Sequence, residues 1–286
     1  MRRHNAAFCR AHFVEHFRRQ VERAVHDHDM FAPSDRLLLG VSGGKDSLAL
    51  WDALSALGYT VDGVYLDLGI SGYSANGLTC CSKLAESRGW KLEIVDLQDE
   101  YGFSIPEAAG ASRRTPCSAC GLSKRYVLNK VALDRGYDVL VTGHNLDDEA
   151  ATLFGNVMRW NTEYLGRQRP LLEAGAGLIR KAKPLIRLAE RETAAYAFLA
   201  GIEYEIDECP MAAGNTINRH KEWLARLEEE SPGTKTRFLQ GFFERGAPRF
   251  DDSADLDLVS CERCGQPTTS ALCAFCRLTE VARGTA

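Results

Sequence analysis

The chain has 286 residues, 45% of them hydrophobic and 26% charged, with a formal net charge of −4. That is enough for one substantial core with a small appendage, and it argues against a disordered chain or one drawn globally to nucleic acid, so an RNA partner would need a local basic surface. No apolar stretch approaches the roughly 20 residues of a membrane helix, and MRRHNAAFCRAHF has no signal-peptide core, so a cytoplasmic protein without membrane contact is expected. Residues 11 to 28 set Phe13, Phe17, Val21 and Ala24 at helical spacing, which predicts an amphipathic helix packed on the sheet or on the tail. Strand and helix signals then alternate: strand 36–41, helix 47–57, strand 61–66, helix 74–88, strand 91–96, helix 122–135, strand 138–142 and helix 146–158. Such alternation predicts an α/β fold with a doubly wound parallel sheet. Between residues 159 and 191, Arg159, Arg167, Arg169, Arg180, Lys181, Lys183, Arg187 and Arg191 face only Glu163, Glu173 and Glu190. They would offer several phosphate contacts if they shared a face, and are otherwise a solvated surface. After Arg249 the acidic DDSADLDLVS reads as a linker into a compact cysteine-rich tail.

The first strand runs into Val-Ser-Gly-Gly-Lys-Asp-Ser at 41–47, where a helix begins. Ser42, Gly43 and Gly44 let the backbone fold around an anion, Lys45 and Ser47 add donors, and the helix offers its positive end. The spacing is not that of a Walker loop, which argues against kinase or GTPase chemistry. SGGKDS resembles the PP-loop of ATP pyrophosphatases, in which the loop grips the pyrophosphate released when AMP is joined to a substrate oxygen.

Ten cysteines in a chain of this kind are expected to be reduced and available as ligands or nucleophiles. Cys261-x2-Cys264-x8-Cys273-x2-Cys276 gives two paired knuckles, the arrangement of tetrahedral structural zinc, with a redox dithiol as the lesser alternative. Cys117-Ser-Ala-Cys120 stands as a single pair just ahead of a helix carrying Lys124, and Cys209, in Glu-Cys-Pro, could complete a trio. The residues alone leave this pair open between zinc, a redox dithiol and an iron–sulfur cluster. Cys80 and Cys81 read as small core residues. Thr142-Gly-His-Asn-Leu-Asp-Asp-Glu follows the fourth strand at the sheet edge where ligands of open α/β folds bind. Gly143 and His144 could line a nucleotide, Asp147, Asp148 and Glu149 lie at a helix start where one could cap, and Asp46 with Asp148 are the expected protein contribution to a Mg²⁺ site.

Taken together, SGGKDSLALWDAL, CSACGLSKRY, TGHNLDDEAATLFGN, ECP and CERCGQPTTSALCAFC resemble, in order and over nearly the whole chain, the TtuA-type tRNA 2-thiouridine synthetases. The resemblance implies ATP-dependent sulfur transfer to C2 of a tRNA uridine, with O2 adenylylated first and AMP then displaced. It implies a 4Fe-4S cluster on Cys117, Cys120 and Cys209, catalytic roles for Lys124 and Asp148, a pyrophosphate loop at Ser42 to Ser47, nucleotide contacts from Asp67, Gly143 and His144, and zinc on Cys261, Cys264, Cys273 and Cys276. The implied organisation is an N-terminal helix and remnant zinc segment at 1–30, a PP-loop catalytic domain at 31–250 and a zinc ribbon at 251–286. Also implied are a homodimer and a ubiquitin-like thiocarboxylate sulfur carrier with its activating enzyme. The family's usual N-terminal zinc site is reduced here to Cys9-x2-His12, through either loss or a start placed downstream, with His4 a poor substitute ligand. The expected target is uridine 54, giving 2-thioribothymidine. Alternatives are wobble-uridine 34 or cytidine-32 thiolation, an amide-forming PP-loop ligase, or a non-enzymatic zinc-ribbon RNA-binding protein.

Overall fold

A computed structural model describes residues 4–250 and 258–284; most of the predicted acidic linker, residues 251–257, lies outside the described residues. In chain order the elements are α1 (Arg10–Asp27), β1 (Leu37–Val41), α2 (Lys45–Ala56), β2 (Val61–Asp67), α3 (Tyr73–Arg88), β3 (Leu92–Asp96), α4 (Leu97–Tyr101), α5 (Ile105–Ala111), α6 (Pro116–Asp134), β4 (Val139–Thr142) and α7 (Leu146–Met158). Then follow α8 (Thr162–Gly166), β5 (Leu171–Leu172), β6 (Arg180–Ala182), α9 (Glu190–Ala200), α10 (Thr216–Glu230), α11 (Thr234–Gly241), β7 (Val259–Ser260), β8 (Pro267–Thr268) and α12 (Ala274–Ala282). The eight sequence-predicted elements up to residue 158 are present within a few residues of their expected bounds, except that α6 starts six residues early.

The main sheet has the order β3-β2-β1-β4-β6-β5, parallel except for the antiparallel edge strand β5. β1 is central: Leu37 pairs with Val61 on one side and Val139 on the other, and Leu37, Leu38 and Leu39 are all buried, as a strand covered on both faces requires. One face is covered by α1, α2 and α9, where Phe17 stacks on Tyr196 at 4.0 Å. The first helix therefore packs on the layer over the sheet and not on the tail. The other face carries α5, α6 and the segment 258–284, with Phe275 of α12 stacked 3.8 Å from Tyr126 of α6. Strand order reverses between β1 and β4, which places the ligand crevice of an open sheet beyond the carboxyl ends of these two strands.

Candidate functional site around the β1–β4 crevice

Both sequence-predicted ligand segments leave the sheet at this crevice. After β1 the chain turns through Ser42 and Gly43, and α2 starts at Lys45, two residues earlier than its spacing suggested, so Lys45 and Asp46 sit in the first helical turn. Gly43 takes φ +81°, and a β-carbon there would come within 2.4 Å of the Gly77 backbone, so both its conformation and its packing against α3 demand glycine. The Ser42 N–H donates to Ser47 Oγ at 3.1 Å, and Ser47 Oγ donates to the Gly44 carbonyl at 3.1 Å, closing the loop. Gly143, just beyond β4, lies so close to α2 that a β-carbon would meet Ser47 N at 3.0 Å. Asp67 closes β2 and accepts from the Gly69 N–H at 2.8 Å.

Beside the loop lies a knot of charge. Lys45 Nζ donates to Glu190 at 2.8 Å and to Asp46 at 3.1 Å; Lys221 Nζ of α10 contacts both Asp148 and Glu190, the latter at 3.2 Å. Against burial, which works the other way, Lys221 and Lys45 hold Glu190 down at about 2. Burial opposes the charge on Lys45 as well, but Asp46 and Glu190 keep its pKa above the usual lysine value. Asp46 itself is raised, chiefly by burial, and accepts hydrogen bonds from Thr193 Oγ1 and, at 3.0 Å, from Asn145 Nδ2.

The acidic start of α7 resolves into separate tasks. Asp147 is paired with buried Lys235, and Glu149 accepts from buried Lys183 at 2.8 Å. Asp148 forms a capping box with Asn145, its Oδ2 accepting the Asn145 N–H at 3.0 Å, while its other oxygen faces Lys221. Of the three carboxylates Asp148 is the one paired with Lys221, while Asp147 also accepts the Glu190 N–H at 2.9 Å. His144 accepts or donates at 2.9 Å to Thr142 Oγ1. Its surroundings lower its pKa, through desolvation first and then through Lys183, Lys181 and Lys124, although the residue's own surface is exposed and solvent moderates the shift.

The single cysteine pair is inside α6 and not ahead of it. Thr115 caps the helix, accepting from the Ser118 N–H, and Pro116 opens it, so Cys117, Cys120 and Lys124 fall at i, i+3 and i+7 on one face. Cys209 stands at a short turn over Pro210–Ala212; Cys117 Sγ is 3.9 Å from the Met211 carbonyl and 3.8 Å from Asn215 Nδ2. Burial pushes the Cys117 thiol up, Cys120 and Cys209 add to the shift, and Lys124 opposes it, which places all four groups within each other's field. The same Lys124 also acts on His144, so its charge is felt both at the cysteines and at the crevice.

In the tail, Cys261 Sγ is 3.9 Å from Cys276 Sγ, and Cys264 Sγ is 3.8 Å from Cys273 Sγ. Four thiolates around one ion at about 2.3 Å each would be about 3.8 Å apart along a tetrahedron's edge, so the quartet fits a single zinc ion. Among the described residues the groups whose ligand atoms converge within 4.8 Å are this quartet and His4, His16 and Glu192. The trio is spread more widely, as thiolates bound to different corners of a cluster would be. Cys9 Sγ and His12 Nδ1 lie 3.2 Å apart, while His4 is 2.7 Å from Glu192, so His4 does not join Cys9 and His12 in one ligand set.

Sequence reasoning missed Lys221, Thr193 and the part played by Glu190. No signal marks Lys221, which lies beyond the last predicted helix; Asn145 was legible as a helix cap. The basic run does not form one face: Lys183 is buried on Glu149, Arg187 pairs with Asp27 at 2.9 Å, and Arg180 with Glu173 at 3.1 Å. Cys81 is buried and its thiol pushed up to about 12 by desolvation, as a core residue would be.

Several known proteins are similar to this chain. A family model described as a PP-loop domain matches residues 13–220. The tRNA-5-methyluridine(54) 2-sulfurtransferase of Thermus thermophilus is 50% identical over 278 residues, 97% of this chain and 87% of that protein. Its namesake in Thermotoga maritima is 42% identical over 281 residues, covering 97% and 91%. In fold the chain is similar to the U34-tRNA thiolase NcsA from Methanococcus maripaludis, solved with its 4Fe-4S cluster, with TM-score 0.82 and 24% identity over 98% of this chain and 91% of that one.

Proposed function

The chain belongs to the PP-loop family, on the branch of the tRNA-5-methyluridine(54) 2-sulfurtransferases, and from that membership we propose how its residues carry out the reaction. It is a transferase that uses ATP to exchange the C2 oxygen of a tRNA uridine for sulfur, at uridine 54 of the T loop. The observation that carries the reading is the convergence, around one crevice, of an anion-holding loop, the Gly143–Asp148 turn, and a helix face bearing Cys117, Cys120 and Lys124.

Ser42 to Ser47 hold the β- and γ-phosphates through backbone N–H groups and the start of α2, and Lys45 exchanges Glu190 for phosphate when the nucleotide binds. Asp67, Gly143 and His144 line the adenosine side. The uridine O2 attacks the α-phosphorus, the bond to pyrophosphate breaks, and Lys124 neutralises charge growing on the phosphoryl oxygens. Asp46 and Asp148, carboxylates beside the phosphate loop, would supply oxygen ligands for Mg²⁺ accompanying the nucleotide. In the second half, sulfur adds at C2 and the C2–O bond breaks, releasing AMP. Cys117, Cys120 and Cys209 would hold a 4Fe-4S cluster through three thiolates, and such a cluster, when bound, would supply an iron open to an exogenous sulfur ligand. Asn215 Nδ2, pointing at Cys117 Sγ, orients the thiolate, and the half-exposed position of the trio leaves room for a carrier or an RNA base.

Zn²⁺ belongs to Cys261, Cys264, Cys273 and Cys276 in a ribbon at 251–286, set beside the catalytic domain at 31–250 and the N-terminal segment at 1–30. Elemental analysis should find about one zinc per chain. Its removal by a chelator should abolish hydrogen-exchange protection of residues 259–282, because the binding energy of structural zinc, about 10 kcal/mol or more, is folding energy for so small a unit. Retained protection after complete zinc loss would refute that role. By family likeness the assembly is a homodimer served by a ubiquitin-like thiocarboxylate carrier and its activating enzyme in the cytoplasm. Among the described residues no helix is long and apolar enough to cross a membrane.

A second target, wobble uridine 34, is favoured by the fold likeness to NcsA, but sequence identity of 50% to a uridine-54 enzyme outweighs 24% to a uridine-34 enzyme. The deciding experiment is anaerobic reconstitution with iron and sulfide, incubation with ATP and unmodified tRNA, and mass spectrometry of nucleosides mapped by digestion. A 2-thionucleoside at position 54 that requires both iron and ATP is expected; thiolation at position 34, or none with cluster and ATP bound, would overturn the assignment.

A further inference from the structure

On the outer side of α7 and α10 the molecule exposes aromatic rings among unpaired arginines. Trp160 is 71% exposed and Trp223 49% exposed, although tryptophan is ordinarily among the more buried residues. Trp160 also takes φ +46°, a left-handed conformation just beyond the end of α7 that costs a bulky side chain about 1 kcal/mol or more. Trp223 is not isolated: its ring lies 6.2 Å from Phe154 of α7 and 6.0 Å from His220 of α10. A β-carbon on Gly155 would meet the His220 ring at 2.8 Å and the Arg159 guanidinium at 3.3 Å, which places Arg159 at the same α7–α10 seam.

Arg219, Trp223 and Arg226 follow at i, i+4 and i+7 on the solvent side of α10. Arg159, Arg219 and Arg226 are exposed, and none forms an ion pair with a described residue, whereas most arginines and lysines near the crevice do. Free arginines interleaved with flat, exposed rings match single-stranded or loop RNA, whose phosphates take guanidinium groups and whose unstacked bases lie on aromatic faces.

We propose that the outer face of α7 and α10, built from Arg159, Trp160, Arg219, Trp223 and Arg226, is where the tRNA docks. The inference rests on the tRNA-thiolase reading and adds a surface to it. The opposite side of α10 carries Lys221 to Asp148, so RNA held on this face lies about one helix diameter, roughly 10 Å, from the crevice. Aromatic stacking would anchor a flipped or loop base, and the arginines would fix the register of the backbone.

The test compares the wild-type protein with Arg219→Glu/Arg226→Glu and with Trp160→Ala/Trp223→Ala, all reconstituted with iron and sulfide. Binding of unmodified tRNA is measured across a salt series, thiolation kinetics are measured in parallel, and ATP binding and thermal unfolding serve as controls. The charge variant should weaken tRNA binding at least about tenfold and flatten the salt slope by about one per arginine lost. The tryptophan variant should weaken it about tenfold, as loss of one or two stacked bases would, with little change in salt slope. In both, KM for tRNA rises while kcat, ATP binding and the unfolding midpoint stay near wild type.

Wild-type tRNA affinity and KM in both variants, with wild-type thiolation intact, would overturn the docking face and leave the enzymatic reading standing. Absence of any thionucleoside from the wild-type protein would fall on the enzymatic reading instead, while the binding series would still report on the face. Unchanged tRNA binding with a lost dimer, seen by sedimentation, would reassign the face to a second copy of the chain and refute the proposal.

Discussion

Replacing Cys117, Cys120 or Cys209 singly with alanine is expected to lower thiolation at least about a thousandfold, to the limit of nucleoside mass spectrometry, while ATP affinity changes by less than about twofold. The separation follows from placement. Cys117 and Cys120 lie on α6 and Cys209 on the turn before α10, whereas the phosphates belong to the loop after β1, and no cysteine of the trio touches that loop's hydrogen bonds. With only three thiolates, loss of one leaves two, too few to retain a four-iron cluster against solvent at a half-exposed site. Iron content should therefore fall with activity. Cys81→Ala is the control: its thiol is buried behind the loop, and its removal should cost stability but no iron. A Cys209→Ala protein that retained iron and full activity would show that the trio is not the ligand set.

How much of this was readable beforehand depended on whether a function is local in sequence. The loop at 41–47 and the turn at 142–149 are each a strand end followed by a helix start, so one stretch of chain carries the strand, the turn chemistry and the cap. The zinc quartet is local in the same way. The helix carrying Cys117 begins six residues before the expected 122, because Thr115 and Pro116 supply its cap and first turn. What failed was long-range charge pairing. The run from Arg159 to Arg191 has the composition of an RNA face, yet burial of Lys183 on Glu149 and the pairing of Arg187 with Asp27 disperse it. No one-dimensional pattern shows which cations find carboxylates 34 or 160 residues away. The sequence singled out Asp148 but gave Asp147 and Glu149 no separate task for the same reason, and the partners Lys235, Lys221 and Lys183 distinguish the three.

Lys221→Met is the second substitution with a large expected effect, a loss of about a hundredfold in kcat, or about 2.7 kcal/mol of transition-state stabilisation. Lys221 is a positioning residue: it holds Asp148 and Glu190 together beside Lys45, and the three side chains fix one another. Without it Asp148 loses its ion-pair partner and Glu190 is left to Lys45 alone, which already serves Asp46 and is then less free to leave Glu190 for the nucleotide. The pH dependence separates this from a merely structural loss. Burial favours a protonated Glu190, and Lys221 and Lys45 together hold it at about 2; removing Lys221 takes away one of these two restraints, so its pKa rises. The acid limb of the kcat profile should accordingly move to higher pH in Lys221→Met, with the deficit greatest in acid and smallest in mildly alkaline solution. Lys221→Arg keeps the charge and should recover most of kcat and the wild-type acid limb. Equal losses at every pH in both variants would mean that α10 needs this side chain for packing, and that the charge knot does not govern the site.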